Sequence, residues 1–290
     1  MEGKGPYRNL YIYLVQGPVD EEETAAFGEA FLGNWVEDDY SFLFFSAPSR
    51  EQVLTQLKAR SDLTLLDEYQ FTYEQWQGGS PGPLRVGGFL ITPPWMEARA
   101  DAGQIKMVID PGVVFGSGLH PTTRDCLKAM AWTVKEKSFR SVLDLGTGTG
   151  ILAVAAAFLG AGKTLALDIN PLCVKTARRN VEQNDLQERV RVIQGRAEDF
   201  VETPADLVIA NIHHEVIERL LKKAGCQGRA RLIISGLMRS GWREVKNMLQ
   251  RCHFEIRREW IHEMTWFTLL AAKPDEGRQH DAMPTWGKMR

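Results

Sequence analysis

The pattern of apolar and polar positions changes character at about residue 105. Before it, YRNLYIYLV alternates like a strand, and FLFFSA is typical of a buried strand. Helices are predicted for EEETAAFGEAFLG, with acids in its first turn, and for PSREQVLTQLKAR, where Ser49 is placed to cap the helix. Residues 7–75 therefore predict a small α/β unit. The glycines and prolines of GGSPGPLRVGG, which follows, indicate a linker or an exposed loop.

After residue 105, strands and helices alternate. The apolar runs MVID, VLDL, TLALDI, VRVIQG, DLVIAN and RLIISG are followed by helical segments or loops, the first helix starting at Pro121. Alternation with short links predicts a mainly parallel sheet covered by helices on both faces. The last two strands, around 254–260 and 265–272, have no helix between them, so we expect an antiparallel pair at one edge.

These patterns predict four parts of the chain. Residues 1–75 form a small α/β domain and residues 76–104 a linker. Residues 105–273 form the larger α/β domain, and the polar tail 274–290 is predicted to be disordered.

Composition limits the possible classes of function. The 290 residues are 44% hydrophobic and 25% charged, as in ordinary globular proteins, and a net charge of −2 gives no global reason to expect binding to nucleic acid or a membrane surface. Neither a signal peptide nor a run of about 20 apolar residues is evident.

The isolated Cys126, Cys173, Cys226 and Cys252 are predicted to be reduced, buried thiols. We expect a cytoplasmic protein, with a monomer favoured.

The stretch VLDLGTGTGILAVAAAFLG, residues 142–160, predicts a strand, a glycine turn and a helix that bind a nucleotide-like ligand. The dinucleotide fingerprint needs a small third residue where this chain has Ile151, which disfavours that ligand without excluding it. AFLGAGKT resembles a phosphate loop, but Ala157 closes a helix and Lys163 opens a strand. This order is the reverse of what phosphate binding needs, so a nucleoside triphosphate is rejected.

The sequence D-x-G-x-G-x-G, which starts at Asp144, favours S-adenosylmethionine as the cofactor. A carboxylate beside the turn repels pyrophosphate but attracts the ammonium of this ligand. Asp168 ends the next strand, where an acid can accept hydrogen bonds from both ribose hydroxyls. Glu198 or Asp199 is placed for the exocyclic amine of adenine, and a solvated acid or helix cap is an equal alternative. We expect Gly148→Val to block cofactor binding while leaving the fold intact.

A second glycine loop, DPGVVFGSGLHPTT at residues 110–123, precedes a helix. Amides near that helix start, with Thr122 and Thr123, suit the methionine carboxylate, and the loop is placed to fold over the cofactor. Together with VLDLGTGTGILA some twenty residues later, the loop resembles the PrmA family, bacterial methyltransferases that modify large-subunit ribosomal protein eleven. The resemblance covers roughly residues 84–272. The segments ITPPW and EMTWFTLLA also resemble sequences of this family.

The resemblance implies a seven-stranded, mainly parallel Rossmann-like methyltransferase sheet and a small N-terminal α/β domain that recognises the substrate. Thr123, Gly146, Asp168 and Asn211 match the cofactor-contacting positions of the family, and Phe115 matches its aromatic residue near the methyl donor. The implied reaction methylates lysine side chains or N-terminal amines of a ribosomal protein. Asn211 is our candidate for orienting the amine.

Several alternatives remain open. His213 and His214 depart from the family pattern and are favoured as surface residues at a helix start over proton handling, and no metal site is predicted. His120 is expected to order the loop. The protein is expected to act on a protein substrate, with no direct binding to nucleic acid or membrane. The alternatives are methylation of another protein or of RNA, an NAD-linked oxidoreductase, and a catalytically silent cofactor-binding module.

Overall fold

An antiparallel sheet of four strands forms the N-terminal unit. The computed structural model describes residues 6–80, 82–223 and 231–274. The strand order of this sheet is β2-β3-β1-β4; two short helices and one 3₁₀ turn lie between the strands, and a third helix follows β4. The elements are β1 (Asn9–Gln16), α1 (Glu21–Thr24), the 3₁₀ turn (Ala25–Phe27), β2 (Phe31–Glu37), β3 (Tyr40–Phe45), α2 (Arg50–Leu57), β4 (Thr64–Thr72) and α3 (Tyr73–Gln77).

Two predictions for this unit are wrong in detail. The helix expected over EEETAAFGEAFLG ends early, because Gly28 adopts φ +65° and the following FLGNWVE pairs with β3 as β2. Ser49 stands at the N-cap of α2, but its hydroxyl donates to the carbonyl of Ala47 at 3.0 Å rather than capping the helix.

A second, three-stranded sheet lies in the segment that the sequence assigns mainly to a linker. Its order is β5-β6-β7, with β6 antiparallel to β5 and parallel to β7. The strands are β5 (Leu84–Val86), β6 (Phe89–Thr92) and β7 (Ile105–Val108). The MVID run therefore pairs outside the large sheet. The domain boundaries drawn from the sequence stay predictions, and residues 275–290 of the predicted disordered tail lie outside the described residues.

The seven-stranded sheet confirms the predicted fold class. Its order is β10-β9-β8-β11-β12-β14-β13; the first five strands are parallel, and β14 and β13 form the expected antiparallel pair at one edge. Its elements are α4 (Pro121–Glu136), β8 (Ser141–Leu145), α5 (Ile151–Phe158), β9 (Lys163–Asp168), α6 (Pro171–Gln183), β10 (Val190–Gln194), α7 (Ala197–Phe200), β11 (Leu207–Asn211), α8 (His214–Lys223), β12 (Arg231–Leu237), α9 (Arg239–Arg251), β13 (Glu255–His262) and β14 (Trp266–Ala272).

The topology places the candidate site at the carboxyl edge of this sheet. Because β9, β8 and β11 are parallel neighbours, Asp168, Asp144 and Asn211 stand at or near the same ends of adjacent strands. Ala157 lies in α5 and Lys163 begins β9. The segment AFLGAGKT therefore runs from a helix into a strand, which is the reverse of the order in a phosphate loop. In the described parts of the chain, no helix has the length and apolar character to span a membrane.

The cysteines agree only in part with the prediction. Cys126 and Cys173 are buried free thiols, as expected. Cys252 is disulfide-bonded, so the expectation of a reduced thiol is wrong for that residue. Cys226 lies outside the described residues.

Candidate active site

The turn between β8 and α5 is so closely packed that glycine is required at two of its positions. Gly146 has φ +73°, and a Cβ atom there would overlap the side chain of Ile212. Gly148 has φ +54°, and a Cβ atom there would overlap the carbonyl oxygen of Phe115. Because a valine there must displace a backbone atom of another segment, we expect Gly148→Val to destabilise the fold as well; its effect on cofactor binding stays a prediction.

Asp168 faces this turn from the end of β9. Its Oδ2 accepts a hydrogen bond from the backbone N–H of Gly148 and its Oδ1 accepts one from that of Asn170, both at 3.0 Å. Burial raises the pKa of the Asp168 carboxyl, and these two N–H groups oppose the rise. The carboxylate is thus held beside the glycine turn.

Asp144 is a fully buried acid with one unsatisfied oxygen. The Thr147 hydroxyl donates to its Oδ2 at 2.6 Å, whereas no described group bonds to Oδ1. Burial, and secondarily the charge of Asp168, raise the pKa of Asp144 to about 7. A buried carboxylate lacking a counter-charge is complementary to a cationic group of a ligand.

We expect Asp144→Asn to change how stability depends on pH. The folded-state pKa of Asp144 lies above the unfolded one, so the wild type loses stability as pH rises from about 4 to 7. The asparagine side chain does not titrate, so the variant's unfolding free energy relative to wild type should rise across this window, by up to about 4 kcal/mol. Urea denaturation of both proteins from pH 4 to 8 measures this difference. A difference independent of pH would contradict the raised pKa.

The second glycine loop, whose last residues begin α4 at Pro121, lies directly on the turn. The N–H of Thr149 donates to the carbonyl of Phe115 at 3.0 Å, and its hydroxyl donates to that of Gly116 at 2.7 Å. The buried amide of Asn180 on α6 donates to the carbonyls of Asp110 (2.9 Å) and Thr149 (2.8 Å). Asn180 therefore ties the loop and the turn to one helix.

Sequence reasoning missed Asn180, because no local motif distinguishes this residue. Its spacing along the helix could have identified it as buried, because Asn180 lies on the same face of α6 as Cys173, Ala177 and Val181. Asn184, one turn later, accepts from the N–H of Val108 at 2.9 Å and donates to its carbonyl at 2.6 Å. The two asparagines thus hold β7 and the start of the loop.

The N-terminal unit also holds the loop. The indole N–H of Trp76 donates to the carbonyl of Val113 at 3.1 Å, and the amide of Gln77 donates to that of Gly112 at 2.9 Å. Val113 and Val114 are buried in a cluster with residues of both units. The loop is consequently fixed between α3, α6 and the glycine turn.

Thr123 and Asn211 meet on the other side of the turn. The amide Nδ2 of Asn211 lies 3.5 Å from the hydroxyl oxygen of Thr123, and its buried Oδ1 has no described partner.

Phe115 is 47% exposed and packs edge to face with His120, which packs in the same way against Trp266. His120 is the N-cap of α4, and its role in ordering the loop stays a prediction.

The remaining predicted groups have no described contact with Asp144, Asp168 or Asn211. Glu198 accepts from the guanidinium of Arg219 at 2.9 Å. Burial opposes ionisation of Glu198, but hydrogen bonds from its own backbone and Arg219, with the charges of Arg219 and Arg196, lower its pKa. Its role, or that of Asp199, in adenine binding stays a prediction.

His213 is exposed before α8, which starts at His214. No metal-ligand cluster occurs among the described residues.

Comparisons with known proteins identify the family. A protein of Geobacillus kaustophilus named ribosomal protein L11 methyltransferase is 40% identical over 202 residues, covering 66% of this chain and 62% of that protein. A protein of the same name from Pelotomaculum thermopropionicum is 44% identical over 143 residues, covering 49% of this chain and 46% of that protein. The chain thus spans less than two thirds of the length of these relatives.

A solved structure and a family model agree with these relatives. The crystal structure of ribosomal protein L11 methylase from Lactobacillus delbrueckii subsp. bulgaricus superposes with a TM-score of 0.55 at 26% identity, covering 64% of this chain and 95% of that chain. The family model described as ribosomal protein L11 methyltransferase (PrmA) matches residues 47–274. Because this match includes most of the sequence, the chain belongs to the PrmA family of ribosomal protein L11 methyltransferases.

Proposed function

We propose that this protein transfers methyl groups from S-adenosylmethionine to amino groups of ribosomal protein L11. The acceptors are lysine side chains or the N-terminal amine, and a ribosomal substrate places the activity in the cytoplasm. The observation that carries the proposal is the pair of buried, unpartnered oxygens, Oδ1 of Asp144 and Oδ1 of Asn211, beside one glycine turn. Membership of the family adds support independent of this geometry.

The residues at the turn fit the cofactor. Asp144 offers a buried negative charge to its ammonium, and Asp168 offers a carboxylate to its ribose hydroxyls. Gly146 and Gly148 let the backbone approach the ligand closely. The N-terminal end of α4, with Thr123, suits a carboxylate. When bound, the cofactor supplies an activated methyl group and its own leaving group.

The protein's own contribution is to orient and desolvate the amine. A free lysine has a pKa near 10.4, so the amine must lose a proton before it attacks, and an apolar site favours the neutral form. Phe115 and Trp266 line this region with aromatic surface, and Asn211 offers a carbonyl oxygen to an amine N–H. Positioning of this kind supplies much of the rate enhancement in displacement reactions.

Replacing Asp168 tests the cofactor site. We expect Asp168→Ala to weaken S-adenosylhomocysteine binding by about 10²-fold or more, because hydrogen bonds to a charged acceptor contribute about 1.5–3 kcal/mol each. Asp168→Asn is the matched control, since it keeps one acceptor oxygen and should lose less. Titration calorimetry measures both affinities. Unchanged affinity in the alanine variant would refute a role of Asp168 in ribose binding.

A labelling experiment tests the whole proposal. Large ribosomal subunits from the source cell are incubated with the enzyme and S-adenosylmethionine carrying a radioactive methyl group, and proteins and RNA are then separated. Label on L11 supports the proposal. Label on another protein or on RNA keeps the cofactor but rejects the substrate. Cofactor binding without any label indicates a silent binding module or a non-ribosomal substrate.

A further inference from the structure

The exposed apolar side chains of the large unit are gathered at one edge of its sheet. Between residues 105 and 274, in the part of the chain that the structure describes, large apolar side chains are exposed at five positions: Phe115, Ile169, Met238, Ile261 and Met264. Phe115 lies on the turn after β8, Ile169 follows β9 and Met238 follows β12. The other two lie in the hairpin between β13 and β14. Apolar surface concentrated in one region indicates a binding site.

The hairpin between β13 and β14 stands at the carboxyl edge of the sheet. At the end of β12, Leu237 pairs with Phe267 of β14, so β14 starts where the parallel strands end. Trp266, the first residue of β14, packs against His120 with ring centroids 4.9 Å apart, and His120 packs against Phe115 at 5.2 Å. The turn of the hairpin therefore extends beyond this edge, beside the candidate site.

The end of β12 connects this apolar surface with Asn211. A Cβ atom at Gly236 would lie 3.4 Å from Oδ1 of Asn211, the acceptor proposed for the substrate amine. Met238 follows two residues later and is exposed, and Ile261 and Met264 are exposed on the neighbouring hairpin. A polypeptide that presents an amine to Asn211 therefore comes close to these apolar side chains.

The backbone of the hairpin turn is strained at two residues. Glu263 has φ +49° and Met264 has φ +55°, and the N–H of Thr265 closes the turn by donating to the carbonyl of His262 at 3.0 Å. Turns with positive φ at both central positions are usually formed by glycine, asparagine or aspartate. Met264 is 57% exposed, so burial of its side chain does not offset this strain. Strain of this kind is frequent at binding sites.

We propose that Met264 is a specificity-determining residue, which binds an apolar side chain next to the methyl-accepting residue of the protein substrate. The inference rests on the proposed function, because it requires an acceptor amine at Asn211. A methionine suits this role, since its flexible thioether side chain adapts to apolar groups of different shape. Partial burial of one aliphatic side chain against it favours binding by about fivefold to tenfold.

Steady-state methylation of L11 tests the role of Met264. Met264→Gly removes the side chain and relieves the backbone strain, so it should raise the KM for L11 about fivefold or more and raise the melting temperature by about 1–3 °C. The affinity for S-adenosylhomocysteine should stay at the wild-type value. A weaker interaction with the substrate in a more stable protein does not result from damage to the fold.

Glu263→Gly is the matched control, because it relieves strain at the adjacent residue and keeps Met264. It should raise the melting temperature by a similar amount and leave the KM for L11 within about twofold at about 0.15 M salt, where a single exposed charge has little effect. An equal rise of KM in both variants overturns the proposal, since the shape of the turn then matters rather than the methionine. An unchanged KM in Met264→Gly overturns it as well.

A pair of peptides tests the preference independently of L11. Each fluorescein-labelled peptide has one lysine, flanked on both sides by leucine in the first and by serine in the second, and S-adenosylhomocysteine is present so that no transfer occurs. Fluorescence anisotropy should show the wild type and Glu263→Gly binding the leucine peptide about fivefold more tightly than the serine peptide. Met264→Gly should bind the two equally. A wild type that does not prefer the leucine peptide, or that binds neither, overturns the proposal.

The two experiments separate this inference from the proposed function. If the wild type prefers the leucine peptide and Met264→Gly does not, but L11 is not methylated, the substrate assignment fails and the role of Met264 stands. If L11 is methylated with the same KM by the wild type and Met264→Gly, the role of Met264 fails and the proposed function stands. Sedimentation equilibrium checks another occupant of this surface: self-association that Met264→Gly abolishes would assign it to a second copy of the chain and overturn the proposal.

Discussion

Asn211→Ala should lower kcat for methyl transfer by about 10²-fold or more while changing the affinity for S-adenosylhomocysteine much less. The Asn211 amide is held beside Thr123, and its buried Oδ1 has no described partner. An oriented hydrogen-bond partner of a reacting group contributes an effect of this order. Single-turnover transfer with radioactive cofactor measures the chemical step, and calorimetry measures binding.

A second variant distinguishes orientation from packing. Asn211→Asp keeps an acceptor oxygen in a side chain of nearly the same shape, so it should retain at least about tenfold more activity than the alanine variant. Equal losses in both variants would indicate that the Nδ2 donor matters rather than the Oδ1 acceptor. An alanine variant with wild-type kcat would remove Asn211 from the mechanism.

The positions of Asp144 and Asp168 were predictable because they depend on short-range rules. An acid that ends a parallel strand stands at the carboxyl edge, and neighbouring strands bring such ends together. The pairing of β8 with β9 has the register that this rule needs. By contrast, Thr123 and Asn211 are 88 residues apart in sequence and were brought together only by the family resemblance.

The features that the sequence did not reveal depend on tertiary contacts. Asn180 has no special local motif, and its role follows from the carbonyls of Asp110 and Thr149 on two distant segments. The strand β2 was hidden in a pattern that also fits a helix, until pairing with β3 decided its conformation. In the same way, nothing in the sequence around Trp76 predicted that its indole N–H donates to the carbonyl of Val113 in the loop.

Gly148→Val should abolish measurable cofactor binding, a loss of more than about 10²-fold, and destabilise the protein by about 2–4 kcal/mol. A Cβ atom at this position would overlap the carbonyl oxygen of Phe115, which also accepts the N–H of Thr149. The N–H of Gly148 itself donates to Asp168. The substitution therefore displaces the loop, the turn and a predicted ribose acceptor together.

Gly160→Val is the matched control for that effect. Gly160 has φ +103°, so a valine there carries at least as much backbone strain, but nothing lies within 4 Å of its Cβ position. It should lower stability through strain alone and leave cofactor binding intact, as calorimetry and thermal unfolding can measure. Because backbone strain is common to both variants, a difference in binding reflects the position of Gly148 at the turn, where its Cβ meets Phe115 and its N–H donates to Asp168. Loss of binding in both would mean that backbone strain alone is sufficient, which would contradict a specific role for the packing at Gly148.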